Sequence, residues 1–241
     1  MSALWEDLST QFHRAFIHDE RWRFIVEGLG NTLLITFFAL LIGSILGIII
    51  ATTRTSWDRT SPLMKPGLAK FIFGFFNMIC KIYLTVIRGT PVMIQLMIIY
   101  FVIMTSSDRM LVAVIAFGIN SGAYVAEIMR SGIQAVDPGQ FEAGRSLGFN
   151  YIKTMWLIVL PQAFKNILPA LCNEFIVLFK ETAIAGVVGV TDLTRAANII
   201  RGVTFQSLFP LVSVALIYLV FVMFFTMLVG LLERRLRNSE R

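Results

Sequence analysis

The residues of this chain that could carry chemistry are polar groups set inside apolar runs. Gln95, Asn120, Ser121, Tyr124, Asn173, Glu174 and Glu181 each interrupt a stretch otherwise built from aliphatic and aromatic side chains. Polar groups in such surroundings seldom face hydrocarbon; they meet a partner helix or line a water-filled path. The chemistry open to them is the holding and passing of a polar solute, with the Glu174 and Glu181 carboxylates available to a cation. Lys180 dilutes that reading, because either carboxylate can pair with it. Glu127 precedes Arg130 by three residues and reads as one half of an ion pair on a single helix face. Nothing supports catalysis: there is no nucleophile–base cluster, no pair of carboxylates at a consistent depth and no GxxxxGK[ST] phosphate loop. With only 2 His and no clustered sulfur ligands, no metal site is expected.

The elements that position these groups follow from composition. Of the 241 residues 56% are hydrophobic and only 15% charged, with 21 Phe, 11 Met and a mean hydropathy of +0.75. Several windows reach the length needed to cross hydrocarbon, so the chain reads as an all-α, multi-pass membrane protein. The net charge of +6 does not argue for nucleic acid, because the basic residues cluster in a few loops. Cys80 and Cys172 lie in apolar stretches and read as small buried side chains.

Residues 1–27 alternate aromatic and polar positions in the manner of an interfacial helix, with Trp5, Phe12, Phe16 and Trp22 at headgroup level and His13 and His18 at the surface. The first span is expected at about 28–53, where Gly43, Gly47 and Ala51 make a small-residue face for close helix packing. The interval from Lys70 to Ile87, apolar but broken by Lys81, reads as a helix along the inner surface. It turns upward at Arg88-Gly89-Thr90-Pro91. Further spans are expected at about 91–107, 110–130, 167–186 and 203–232, the fourth opened by Pro169. An outer elbow follows the fourth, with Asp192 or Thr191 capping a short helix. Six of the 21 Lys and Arg lie between Arg54 and Arg88, four between Arg130 and Lys165, and four in the basic tail 233–241. That bias predicts five spans, N-terminus outside and C-terminus inside.

One stretch has the wrong composition to cross a bilayer. Asp137 to Pro161 reads DPGQFEAGRSLGFNYIKTMWLIVLP. Asp137 at the N-cap, Pro138 at the first helical position and Gln140 at the third predict a capping box, with a helix over 138–147. Gly148 is placed to end it at C′, and Asn150 to cap a second segment. The resulting knob is too small for an enzyme domain and is suited to being gripped by another protein.

These residues resemble the permease subunits of bacterial ABC importers for polar amino acids, the histidine/glutamine/arginine-type family, from Gly28 to the C-terminus. That family's loop carries EAA, three residues, Gly, nine residues, Ile, one residue, Leu-Pro. Here Glu142-Ala143-Gly144, Gly148, Ile158 and Leu160-Pro161 stand in that register. Gly144 departs from the usual alanine and is expected to loosen the helix slightly, by roughly 1 kcal/mol if exposed. Arg88-Gly89-Thr90-Pro91 followed by Gln95, and Lys180-Glu181-Thr182-Ala183 within 175–197, resemble two further stretches of the family.

The resemblance implies a type I ABC importer transmembrane domain in the bacterial inner membrane. Two permease chains, identical or related, would form the path. Each would dock its 137–161 loop on one of two ATP-binding subunits, which use ATP and Mg; the permease itself would bind no cofactor and hydrolyse nothing. An extracytoplasmic amino-acid-binding protein would deliver the solute. Glu142 would face the ATPase or brace the loop, Gly148 would permit the turn, and Leu160-Pro161 would fix the second segment. The substrate stays open between a basic amino acid, glutamine or glutamate, and cystine. The alternative is a stand-alone secondary transporter or channel, whose inverted repeats are not evident.

Overall fold

The computed structural model describes residues 9–238, and every regular element among them is helical. Trp5 lies outside the described residues. A π turn at His13–Ile17 and a 3-10 turn at His18–Glu20 precede α1, Trp22–Thr60. Residues 1–27 are therefore not one interfacial helix: Asp19 and Glu20 take φ of 56° and 52°, which breaks the segment before α1 begins. Phe16 is buried with Ala15 against Ile25, Leu193, Ala196 and Ile200 rather than lying at a headgroup level. Phe12 and Trp22 stay exposed, with Phe12 edge-on to Phe209 at 6.0 Å.

Helix α1 has 39 residues. At 1.5 Å per residue it is about 58 Å long, nearly twice a hydrocarbon core of about 30 Å. Its apolar middle is charge-free, so Arg54, Asp58 and Arg59 fall on a C-terminal extension beyond that middle.

Helix α2, Leu68–Gly89, differs from the helix expected along the inner surface. It is continuous through Lys81 and packs antiparallel to the end of α1, Gly74 against Trp57 and Asn77 accepting from Arg54 Nη1 at 3.4 Å. Further along, the Tyr83 hydroxyl donates to the Ile119 carbonyl of the third long helix, a half-buried contact. Lys81 is tolerated because α2 buries none of its residues, so the lysine can reach along an open flank. The chain breaks at Thr90 and Pro91, both extended, and resumes as α3, Val92–Ile98, running into a π turn at Ile99–Ile103.

Helix α4, Arg109–Gln134, starts at Asp108, whose Oδ1 accepts from the Leu111 N–H at 3.0 Å. It lies parallel to α1 at close range. Cβ atoms added at Gly43 and Gly47 would stand 3.0 Å from the Gly122 nitrogen and 2.5 Å from Val125 Cγ1. The small-residue face read from Gly43, Gly47 and Ala51 is thus the α1–α4 contact, answered by Gly118 and Gly122.

Loop elements α5 (Gly139–Ser146) and α6 (Tyr151–Thr154) follow, and a π turn at Met155–Val159 leads into α7, Leu160–Glu181. Pro169 does not open a helix; it lies inside α7, since a helix already wound from Leu160 can carry a proline where neighbours compensate the lost bond. α7 runs antiparallel to α4, with Gly132 against Ile167 and Ser121 beside Glu174. It gives way at Thr182 to a 3-10 helix ending at Val188, closed by Gly189 at φ 87°. The elbow then starts α8, Leu193–Thr204. Phe205, at φ 56°, separates it from α9, Leu208–Asn238, so the last long helix begins later than 203 and absorbs much of the basic tail. α9 packs through an aromatic seam, with Phe179 5.3 Å from Tyr218 and 5.8 Å from Phe225.

Among the described residues four helices, α1, α2, α4 and α9, are long and apolar enough to cross a membrane. α7 has the length, but Lys165, Glu174, Lys180 and Glu181 dilute its hydropathy. Cys80 and Cys172 are free and half-buried rather than buried.

Candidate functional site

The 137–161 loop is built from local signals. Asp137 Oδ1 accepts from the Gly139 N–H at 2.7 Å and holds the first turn of α5. The capping box does not form: Gln140 instead accepts from Gln162 Nε2 at 3.2 Å, a cross-link from α5 to the start of α7. The far end closes as a Schellman turn, Phe149 N–H to Gly144 O at 3.0 Å and Gly148 N–H to Arg145 O at 2.9 Å. Gly148 stands at φ 76°, where a Cβ is strained. Asn150 Oδ1 then accepts from the Lys153 N–H at 2.9 Å and starts α6.

Gly144 corrects one expectation. It is buried against Thr154, and a Cβ there would lie 2.5 Å from Thr154 Oγ1 and 2.6 Å from Cγ2. Glycine is what lets α5 touch α6, so its effect is close packing rather than loosening. Glu142 and Ala143 face away and are exposed, while Leu160 packs under the loop with Val159, Ile133 and Ala163 and Pro161 is exposed. Leu147 and Ile152 remain 70% and 65% exposed, an apolar surface that a single chain leaves open. Burial raises the Tyr151 phenol, an effect that Arg59 opposes.

The polar groups of the bundle meet only in part. Glu174 on α7 is buried and accepts from Ser121 Oγ at 2.8 Å. Asn120 Nδ2 donates to Gln95 Oε1 at 2.9 Å, and Asn120 Oδ1 is buried with no partner among the described residues. Gln95 Nε2 lies 2.8 Å from the Ile87 carbonyl, 3.0 Å from the Thr90 carbonyl and 2.8 Å from Thr90 Oγ1. It thus supplies a donor to the carbonyls freed where α2 breaks. Four candidates, Gln95, Asn120, Ser121 and Glu174, form one seam from the break to α7. The other three stand apart. Tyr124 is exposed with the Arg88 guanidinium 5.9 Å from its ring, and Asn173 is exposed beside the seam. Glu181 lies two turns beyond Glu174, half-buried at the end of α7.

Arg88 does more than mark the turn. Its Nη1 is 3.7 Å from Glu127 Oε2, joining the Glu127–Arg130 pair in which Arg130 Nε donates to Oε2 at 3.1 Å. Gly89 and Thr90 provide the end of α2 and Pro91 the extended residue before α3. Tyr83 and Thr154 were not singled out by sequence reasoning. A lone polar group in an amphipathic helix was the available signal for Tyr83; Thr154 carried none. At the elbow, Asp192 is the cap, its Oδ2 accepting from the Thr194 N–H at 2.8 Å, and burial raises its carboxyl. Asn31 Nδ2 donates to Thr191 O at 2.8 Å, and Thr32 Oγ1 accepts from the Leu193 N–H at 3.1 Å, so α1 grips the elbow. No group of three His, Cys, Asp or Glu among the described residues is placed to hold a metal.

The chain is similar to several known proteins. The arginine transport system permease protein ArtQ of Bacillus subtilis (strain 168) is 41% identical over 221 residues, covering 90% of this chain and 94% of that protein. The putative glutamine transport system permease protein GlnP of Rickettsia bellii (strain RML369-C) is 38% identical over 217 residues, covering 88% and 93%. A crystal structure of an amino acid ABC transporter with histidines contains a chain 43% identical, superposing with a TM-score of 0.79 over 91% of this chain and 98% of that one. Residues 67–238, the whole interval from the approach to α2 through the seam, the loop and α9, match the family described as binding-protein-dependent transport system inner membrane component, and the chain belongs to that family.

Proposed function

We propose that this chain is the membrane permease subunit of an ATP-driven importer of polar amino acids. The observation that carries the reading is the 137–161 loop: a rigidly capped helix pair with an exposed apolar surface, anchored on α4 and α7, in a chain of this family. A stiff knob transmits a push, whereas a floppy loop absorbs it. The loop docks on a separate ATP-binding subunit through Glu142, Ala143 and its exposed apolar residues. ATP and Mg belong to that partner, and the permease chain hydrolyses nothing. Two permease chains, identical or related, enclose the path, and an extracytoplasmic binding protein supplies the solute.

In this reading the chain crosses the bacterial inner membrane five times, N-terminus outside and C-terminus inside. The second crossing is shared by α2 and α3 across the break at Thr90-Pro91. The solute passes along the seam of Asn120, Ser121 and Glu174. A basic amino acid suits this seam, because the Glu174 carboxyl takes a hydroxyl partner rather than the exposed Lys180 and so stays available to a cation. The name of the ArtQ relative supports the same choice.

The test is uptake into proteoliposomes holding the permease, its ATPase and its binding protein. ATP-dependent accumulation of arginine above glutamine and cystine is expected. Uptake that ignores ATP and follows an ion gradient would instead indicate a secondary transporter.

A further inference from the structure

We infer that Arg59 is a positioning residue that clamps the 137–161 loop to the end of α1, so that movement of the loop is passed into the bundle through this side chain. The inference rests on the reading of that loop as the ATPase-docking element, and concerns how the loop is tied to the helices that enclose the path.

The Arg59 guanidinium lies 4.1 Å from the centre of the Phe141 ring on α5 and 5.6 Å from that of Tyr151 on α6. The two rings are themselves 5.9 Å apart and nearly parallel, at 8°. One planar cation therefore serves both segments of the loop at once. A guanidinium suits this place because it stacks on aromatic faces and stays charged, while its outer edge remains in water.

The surroundings make the clamp matter. Beneath it, between α1 and α6, lies a cavity of about 200 Å³ lined in part by Thr52, Thr55, Ser56, Tyr151, Met155 and Trp156. The cavity lies between α1 and the loop there, and the aromatic–cation contact spans from one to the other. The apolar attachments of the loop, through Val159, Leu160 and Ala163, lead to α4 and α7 instead. α1 in turn lies against α4 through Gly43 and Gly47, and reaches the elbow through Asn31 and Thr32. A push on α5 thus has a route into α1, and from there along the full bundle, through Arg59.

The experiment is the number of ATP hydrolysed per amino acid imported by the complete reconstituted complex, with arginine, glutamine or cystine, whichever it carries best. Arg59→Ala is expected to raise that number at least threefold at unchanged complex yield, and Arg59→Lys, which keeps a cation near the rings but not the planar stack, to restore only part of it. Should Arg59→Ala fail to assemble, Phe141→Leu removes the facing ring without touching α1 and is expected to raise the number in the same way. Gly148→Val serves as the control for the loop itself. A parental ratio in Arg59→Ala or Phe141→Leu, with Gly148→Val uncoupled, would overturn the clamp and leave the docking reading standing. A parental ratio in all of them would overturn both.

Discussion

Gly144 and Thr154 compete for one volume. The glycine of α5 meets the threonine of α6 so closely that a single added methyl would lie 2.5 Å from Oγ1 and 2.6 Å from Cγ2. Thr154 is buried and β-branched, so its side chain is restricted in how it can turn aside. The departure from alanine in this loop and the residue ten positions later are two halves of one contact.

That contact predicts a rescue. Gly144→Ala is expected to destabilise the α5–α6 unit by about 1–3 kcal/mol through overpacking, against a helix-propensity gain of about 1 kcal/mol. Adding Thr154→Ala removes both clashing atoms and is expected to restore the loop. Amide exchange across 139–154 is the measurement. Slow exchange in Gly144→Ala alone would show that the two helices separate at no cost.

Gly148 should be less forgiving of large residues than of alanine. Its φ of 76° costs an L residue roughly 1 kcal/mol or more, and a β-branched one more than that. The space beside it is open, so strain rather than collision sets the penalty. Gly148→Ala is expected to keep normal protein levels with weakened coupling, and Gly148→Val to uncouple ATP hydrolysis from uptake. Equal coupling in the parent and Gly148→Val would remove the turn from the transmission route.

What was legible in the sequence was local. Gly148 and Asn150 announce a helix stop and start because their backbone demands are met within a few residues. Gly43 and Gly47 announce close packing because their spacing alone puts them on one face. The misreadings have a common cause, which is that the deciding partner is distant in sequence. Gln140 finds Gln162 rather than its own N-cap, and Pro169 stays helical because the helix is already running from Leu160. Lys81 suggested a surface helix, yet α2 enters the bundle with that lysine on an open flank. Along α7, buried Glu174 and exposed Asn173 are adjacent residues; only Ser121, across on α4, separates their roles.

Gln95 is expected to act first on structure. Its amide donates to the carbonyls at the α2–α3 break, and its oxygen holds Asn120. Gln95→Leu fills similar space but leaves the half-buried Ile87 carbonyl and the buried Asn120 amide without this partner, at about 1–3 kcal/mol. Asn120→Leu alone should cost less, because Gln95 keeps its bonds to the break. A double-mutant cycle on thermal unfolding in detergent is expected to show coupling above about 0.5 kcal/mol. Strict additivity would mean that the two amides do not work as a unit.

Glu174 separates substrate recognition from architecture. Glu174→Gln keeps the size of the side chain and an acceptor for the Ser121 hydroxyl, but removes the carboxyl group that a cation would meet. If the seam carries a cationic amino acid, arginine uptake should fall at least about tenfold, the factor that corresponds to some 1.4 kcal/mol of lost attraction. Glutamine uptake and basal ATP hydrolysis should stay near the parental level. Ser121→Ala supplies the contrast: it withdraws the hydroxyl from a buried carboxylate, so it is expected to lower complex stability while leaving the ratio of arginine to glutamine uptake unchanged. An equal loss of arginine and glutamine uptake in Glu174→Gln would assign the carboxylate to packing between α4 and α7, and would move the choice of solute to the binding protein.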